Sequence, residues 1–231
     1  NVYSCVHTYN GQGNYLIYMF YRNRNSGVMN IPNSVNQPFY VESLLVIGTK
    51  PNNSSVLTIM PIDDAAFMKC FYHNTGAYDI DGDSLSYEIT TCKGEGAFGI
   101  GFTIPGYSYP AAGTGGSFAI DSVRGTLSWC KPQTNGEFNV AILIKEWRKP
   151  TCSGNYFLVG YVTRDMQIIV SNSVGNPPMF TTLTNTCVEA GSVLNTIINS
   201  TDIDNDFLTI TATGSPFTLS TANFSTFSSA N

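Results

Sequence analysis

Apolar and polar residues alternate with a period of two along much of the chain, the pattern of strands with one buried face. Leu85-Ser86-Tyr87-Glu88-Ile89 alternates, as do Phe118-Ala119-Ile120 and Thr126-Leu127-Ser128-Trp129. Phe138-Asn139-Val140-Ala141-Ile142-Leu143-Ile144 is more uniformly apolar and predicts a core strand, and Val162 to Val170 predicts a closing one. Gly/Asn turns such as Asn135-Gly136 lie between them. No segment sustains a helical period. The expected fold is all-β, a sandwich.

Comparison of the chain with itself sharpens this picture. Tyr78-Asp79-Ile80-Asp81-Gly82-Asp83-Ser84-Leu85 recurs as Thr201-Asp202-Ile203-Asp204-Asn205-Asp206-Phe207-Leu208, so that Asp79 and Asp202 stand 123 residues apart. The same offset carries Asn53-Ser54-Ser55-Val56-Leu57 onto Asn176-Pro177-Pro178-Met179-Phe180. It also carries Leu44-Leu45-Val46-Ile47 onto Gln167-Ile168-Ile169-Val170. Three segments at one spacing predict tandem repeats. Residues 1–49 read as the C-terminal part of a first domain, 50–173 as a complete domain and 174–231 as the N-terminal part of a third. Both ends look like cuts in a longer polypeptide. The spacing exceeds the roughly 100 residues of an ordinary sandwich, and a Gly-rich insertion from Gly94 to Gly116, with eight glycines, accounts for the excess.

Composition narrows the function classes. Charged residues make up 12% of the chain, against roughly 25% in a typical soluble protein. The net charge is −5, and no Lys/Arg run is present, which argues against a nucleic-acid partner. No apolar run reaches the ~18 residues of a membrane helix. Six cysteines, at positions 5, 70, 92, 130, 152 and 187, show no CxxC spacing. Their even number and the Asn/Thr-rich surface predict disulfides in an extracellular setting, with Cys92–Cys130 as the expected pair.

Several motifs resemble a known class. Pro178 and Phe180 after an Asn-rich linker, Asp79 to Tyr87, Phe118 to Leu127 and the Phe138-x-Val140-x-Ile142 strand resemble cadherin-type repeats. Phe39-Tyr40-Val41-Glu42, His73-Asn74, Ile104-Pro105-Gly106-Tyr107, Glu146-Trp147-Arg148 and Thr163 to Ile168 are similar to repeats of large gliding-motility-associated, type IX-secreted surface proteins of Bacteroidetes. The resemblance implies tandem immunoglobulin/cadherin-like sandwiches in a structural or adhesive, non-enzymatic protein of the bacterial cell surface or of a filament. Its partners would be neighbouring repeats of the same chain, other copies in a fibre, or surface glycans. The competing function is a carbohydrate-binding accessory module of a secreted enzyme.

Six of the ten aspartates lie in the two triplets, Asp79, Asp81, Asp83 and Asp202, Asp204, Asp206. Adjacent carboxylates repel, and a bound cation relieves this. Ca²⁺ accepts several hard oxygen ligands in flexible geometry, which suits Asp-x-Asp-x-Asp. An EF-hand fits less well, because Gly82 is fourth in the loop and position twelve is Thr90. The resemblance implies that Asp202, Asp204 and Asp206 face Glu146 of the preceding domain, with Glu189 and Asn176 contributing. The other reading is a solvated Asx turn.

Catalytic material is sparse. His73 near Cys70 would make a Cys–His nucleophile, but a bridged or buried Cys70 is the stronger expectation. Glu146 and Asp165 are better read as ion pairs with Arg148 and Arg164 than as a glycosidase pair. The insertion aromatics Phe98, Phe102, Tyr107 and Tyr109 are read as a loop folded back over the end of the sandwich rather than a sugar-stacking or partner surface. Asn52, Asn53, Asn199 and Asn223 begin Asn-x-Ser/Thr sequons. The resemblance adds Asp83-Ser84-Leu85 and Asp121-Ser122-Val123 as O-glycosylation motifs, with Ser84 and Ser122 as acceptors.

Overall fold

The computed structural model describes residues 4–149, 154–172, 175–181, 184, 186–189 and 191–212. The chain divides into two compact units, Asn1–Ser171 and Asn172–Asn231. No α-helix occurs among the described residues, so the expected all-β class holds.

In the first unit the strands are β1 (Gly13–Tyr21), β2 (Phe39–Ile47), β3 (Val56–Leu57), β4 (Ile62–Ala66), β5 (Cys70–Asn74), β6 (Ala77–Tyr78) and β7 (Ser84–Thr90). They continue with β8 (Lys93–Glu95), β9 (Gly101–Thr103), β10 (Ala112–Ile120), β11 (Thr126–Pro132), β12 (Gly136–Arg148) and β13 (Phe157–Ser171). The large sheet runs β7-β12-β13-β2-β8-β9, with β1 antiparallel to β2 and β4 parallel to β13. A smaller sheet runs β10-β11-β5, and β3 pairs with β6. The second unit contains β14 (Met179–Phe180) paired with β15 (Ser200–Thr201).

The main core lies between the small sheet and the large one, in a sandwich-like arrangement. Phe71, Leu127 and Trp129 come from one side, and Phe138, Val140, Ile142, Ile144, Met166 and Ile168 from the other. Trp129 stands edge-on to Phe118 and Phe138, with centroids 6.0 and 5.0 Å away. Edge-to-face packing suits the ring quadrupoles.

Strand β12 is apolar on both faces for a tertiary reason. Its even-numbered positions from Phe138 to Ile144 fill the main core, whereas Ala141 points into a second cluster with Val28, Ile31, Cys92 and Ile104. That cluster is roofed by the chain before β2 and by the Gly-rich insertion. The insertion packs on this outer face of the large sheet rather than over the sandwich end: Ile104 is buried and Tyr107 packs on the cluster, while Phe98, Phe102 and Tyr109 stay exposed.

An ion pair is buried beside this cluster. Arg24 donates to Asp165 at 3.2 and 2.6 Å and to the Lys93 carbonyl at 3.0 Å, and its guanidinium lies 5.1 Å from the Phe39 ring centroid. Asn139 donates to the same carboxylate at 3.3 Å. The partner expected for Asp165 was Arg164, which instead donates to the Ile59 carbonyl. Adjacent residues in a strand point to opposite faces, so Arg164 and Asp165 do not share one. Residues on both sides of position 49/50 thus share one sheet and one buried ion pair. The division between compact units falls at 171/172.

The disulfide joins Cys70 to Cys130, which face each other across the β5–β11 pair. This corrects the expected Cys92–Cys130 bridge. Cys92 is a free thiol on the far side of the large sheet, and burial pushes its pKa well up. Cys5 and Cys187 are free and exposed; Cys152 lies outside the described residues.

Candidate functional site: two acidic turns

The first acidic turn follows β6. Asp79 Oδ1 accepts the backbone N–H groups of Asp81 and Asp83, each at 2.9 Å. Gly82 adopts φ 81°, which lets the loop close without a Cβ penalty. Asn53 holds Asp81 through its backbone N–H at 2.6 Å and its side-chain amide at 2.9 Å.

The second turn follows β15 and repeats this design. The backbone N–H groups of Asp204 and Asp206 donate to Asp202 Oδ1 at 2.7 and 3.4 Å. Asn205 replaces Gly82 at φ 60°, a left-handed conformation that Asn tolerates better than most residues. Asn176 holds Asp204 through both its backbone N–H and its side-chain amide. The strand registers also match at the 123-residue offset: Val56 opposes Tyr78 as Met179 opposes Thr201, and Leu57 opposes Ala77 as Phe180 opposes Ser200.

In each triplet one carboxylate oxygen per residue lies within 4.8 Å of the others. The surroundings of the first turn are elaborate. Arg148, at the end of β12, donates to both oxygens of Asp83, lies 3.5 Å from Asp81, and also reaches Asn52 Oδ1 and the Pro51 carbonyl. Asp79 is buried, and its Oδ2 has no hydrogen-bond partner. Burial pushes its carboxyl above the ordinary range, helped by the charges of Asp83 and Asp81 and opposed by the two N–H bonds. The Asn53 hydrogen bonds hold Asp81 below that range.

Glu146, a residue expected among the ligands, is fully buried in β12 near this turn. Its carboxylate accepts the Ser55 backbone N–H at 2.6 Å and the Asn52 amide at 3.1 Å. The carboxylate needs the room left by Gly160, where a Cβ would lie 2.6 Å from Glu146 Oε2. These bonds replace the ion pair expected with Arg148. Glu189 is exposed in the second unit, and its carbonyl accepts from Ser192.

Beside the first turn an open pocket of about 470 Å³ is lined by Asp81, Asp83, Trp147, Arg148, Lys149 and Tyr156, among others. Ser84 and Ser122 are exposed. The neighbouring Asp121 accepts the N–H groups of Val123 and Arg124. His73 is buried with Nδ1 2.8 Å from Asp63. Cys70 is spent in the disulfide, so the Cys–His nucleophile has no free thiol.

The structure adds two residues to those expected. Arg148 became a turn partner only when β12 was folded beside it. Asn53 was legible earlier, since it stands 123 residues before the already chosen Asn176. Comparison with known proteins found no matching family model, curated protein or solved structure.

Proposed function

We propose that the chain is a structural or adhesive segment of tandem immunoglobulin/cadherin-like repeats from a large bacterial surface or filament protein, with Ca²⁺ stiffening its acidic turns. The observation that carries this reading is the double occurrence of one turn, with the same strand register, the same Asn clamp and the same left-handed fourth position. The strand order also supports it. One sheet continues β7-β12-β13 with β4 parallel to β13, opposite β10-β11-β5, an arrangement of the immunoglobulin and cadherin kind.

The residues fit a hard dication. The donors are carboxylate oxygens, and Asp79 Oδ2 is buried without a partner. When bound, Ca²⁺ supplies positive charge to clustered carboxylates and fixes the loop. Asp79 and Asp202 order the two loops by accepting N–H bonds at Oδ1, and Asp79 Oδ2 together with the carboxylates of Asp81, Asp83, Asp204 and Asp206 would supply the ligand oxygens. At the first turn Arg148 already provides one positive charge. The second turn is the more open to solvent and therefore the stronger calcium candidate.

Sequencing the complete reading frame tests the array. Further copies at about the 123-residue spacing are expected. A single copy beside a hydrolase domain would replace the array with the carbohydrate-binding reading. Calorimetric titration with CaCl₂, compared with chelator-treated protein, tests the ion.

A further inference from the structure

We infer that the core-type face of β1 is a docking surface for a sheet of the same make as β5-β11-β10, supplied by a further copy of the segment equivalent to residues 50–135. The inference rests on the repeat reading and names the partner it requires. The β1–β2 hairpin repeats the β12–β13 hairpin at the 123-residue offset with identical register: Gly13 opposes Ile47 as Gly136 opposes Val170, and Ile17 opposes Ser43 as Val140 opposes Met166. Tyr15, Ile17, Met19 and Tyr21 therefore occupy the positions of Phe138, Val140, Ile142 and Ile144. The latter four are at most 7% exposed, because the small sheet covers them. Ile17, Met19 and Tyr21 are 45, 48 and 69% exposed.

The outer edge of β1 makes the same point. Strand β12 is flanked on its outer edge by β7, from Ala141 to Trp147. Among the described residues β1 pairs with β2 alone. It contains no charge, Pro or bulge, the devices that normally keep an edge strand from pairing. A face and an edge that are covered in one copy of a hairpin and bare in the other specify what fits there: an aromatic-rich three-stranded sheet on the face and a β7-like strand on the edge.

The test joins a second copy of residues 50–135 ahead of Gly13, as the first copy precedes Gly136. Hydrogen exchange is read at Met19, Phe20 and Tyr21 in the chain with and without the addition. Docking predicts exchange slowed by about a hundredfold or more at these amides. If the added segment shows its own unfolding transition but leaves them unchanged, the docking inference fails and the repeat reading stands. If it does not fold, a variant with Tyr15→Phe, Ile17→Val, Met19→Ile and Tyr21→Ile presents the β12 side chains to it. Continued failure to fold then overturns both. Should the unaltered chain already be a dimer with these amides protected, and Ile17→Lys make it monomeric, a second whole chain occupies the face and the inference is overturned.

Discussion

The two acidic turns share a backbone and differ in what surrounds them. Each is built from the same local parts: an Asn clamp before a short strand pair, a first Asp that accepts two N–H groups, and a left-handed fourth residue. Around the first turn, the fold adds a guanidinium from 65 residues further along the chain, buries Asp79 and locks Asn52 onto Glu146. The described residues of the second turn are largely exposed. Thus the loop geometry is a local property, whereas its charge balance is a tertiary one. The first turn is partly neutralised by the Arg148 guanidinium, and the described residues of the second are the more exposed.

The largest expected effect separates the bodies that carry the turns. Reducing Cys70–Cys130, or replacing both residues with Ser, releases a loop with a sequence separation of 60. This should cost the first unit about 4 kcal/mol on a chain-entropy estimate. Urea unfolding followed by Trp129 fluorescence should show the loss, while exchange at the second turn stays unchanged. Equal loosening of both turns would break the distinction.

Next in size is Arg148→Gln. The pair with Asp83 is largely buried, with side-chain exposures of 15% and 5%. Removing one partner of a buried pair costs on the order of 3 kcal/mol. The variant should also gain more stability from calcium than the parent, because the dication would take over the lost charge. Thermal melts with CaCl₂ and with chelator check this, and an unchanged calcium increment would count against the guanidinium as the internal neutraliser.

Calcium itself comes third. Binding only to the folded state adds about 1.4 kcal/mol when the ion is tenfold above Kd. Asp204→Ala should abolish the gain at the second turn and leave the first, at Asp81, untouched. Site-resolved exchange would read the two turns separately. If neither melting temperature nor exchange responds to calcium, both turns are solvated Asx turns.

The smallest effect concerns protonation. Because burial raises the Asp79 pKa in the folded state, that group favours folding below the ordinary Asp pKa. This contribution is lost as pH rises through the raised value. Asp79→Asn keeps an Oδ1 acceptor and removes the charge, so at neutral pH without calcium it should stabilise by about 0.5 kcal/mol, within the range of a mild substitution. The same change at Asp202, which is half-exposed, should do less. Chemical denaturation of both variants at pH 7 and at acid pH compares them.

Much of this architecture was legible as pattern. Period-two alternation located β7, β10 and β11, because a strand with one buried face must alternate. The more uniformly apolar run in β12 marked a core strand, though not what covers its second face. The offset paired Asn53 with Asn176, but only the fold showed that each clamps an Asp. Long-range choices were not legible. The expected partner of Cys130 was Cys92, but strand register gave it Cys70, which sits directly opposite, while Cys92 faces a different cluster. Arg24 was merely one of two basic residues near the start until β13 brought Asp165 to it.

By itself, then, the sequence determined what acts within a few residues: which positions form strands, where turns close, and that one acidic turn occurs twice at a fixed spacing. The tertiary structure decided which distant groups meet. It set Arg148 on the first triplet, Cys70 on Cys130, and the N-terminal segment with the insertion on the outer face of the large sheet. The physical reason is that alternation and turn chemistry are local steric and hydrogen-bonding preferences, repeated wherever their residues recur. Salt bridges, disulfides and core contacts depend instead on the register and stacking of strands far apart in the chain, which local preferences leave open.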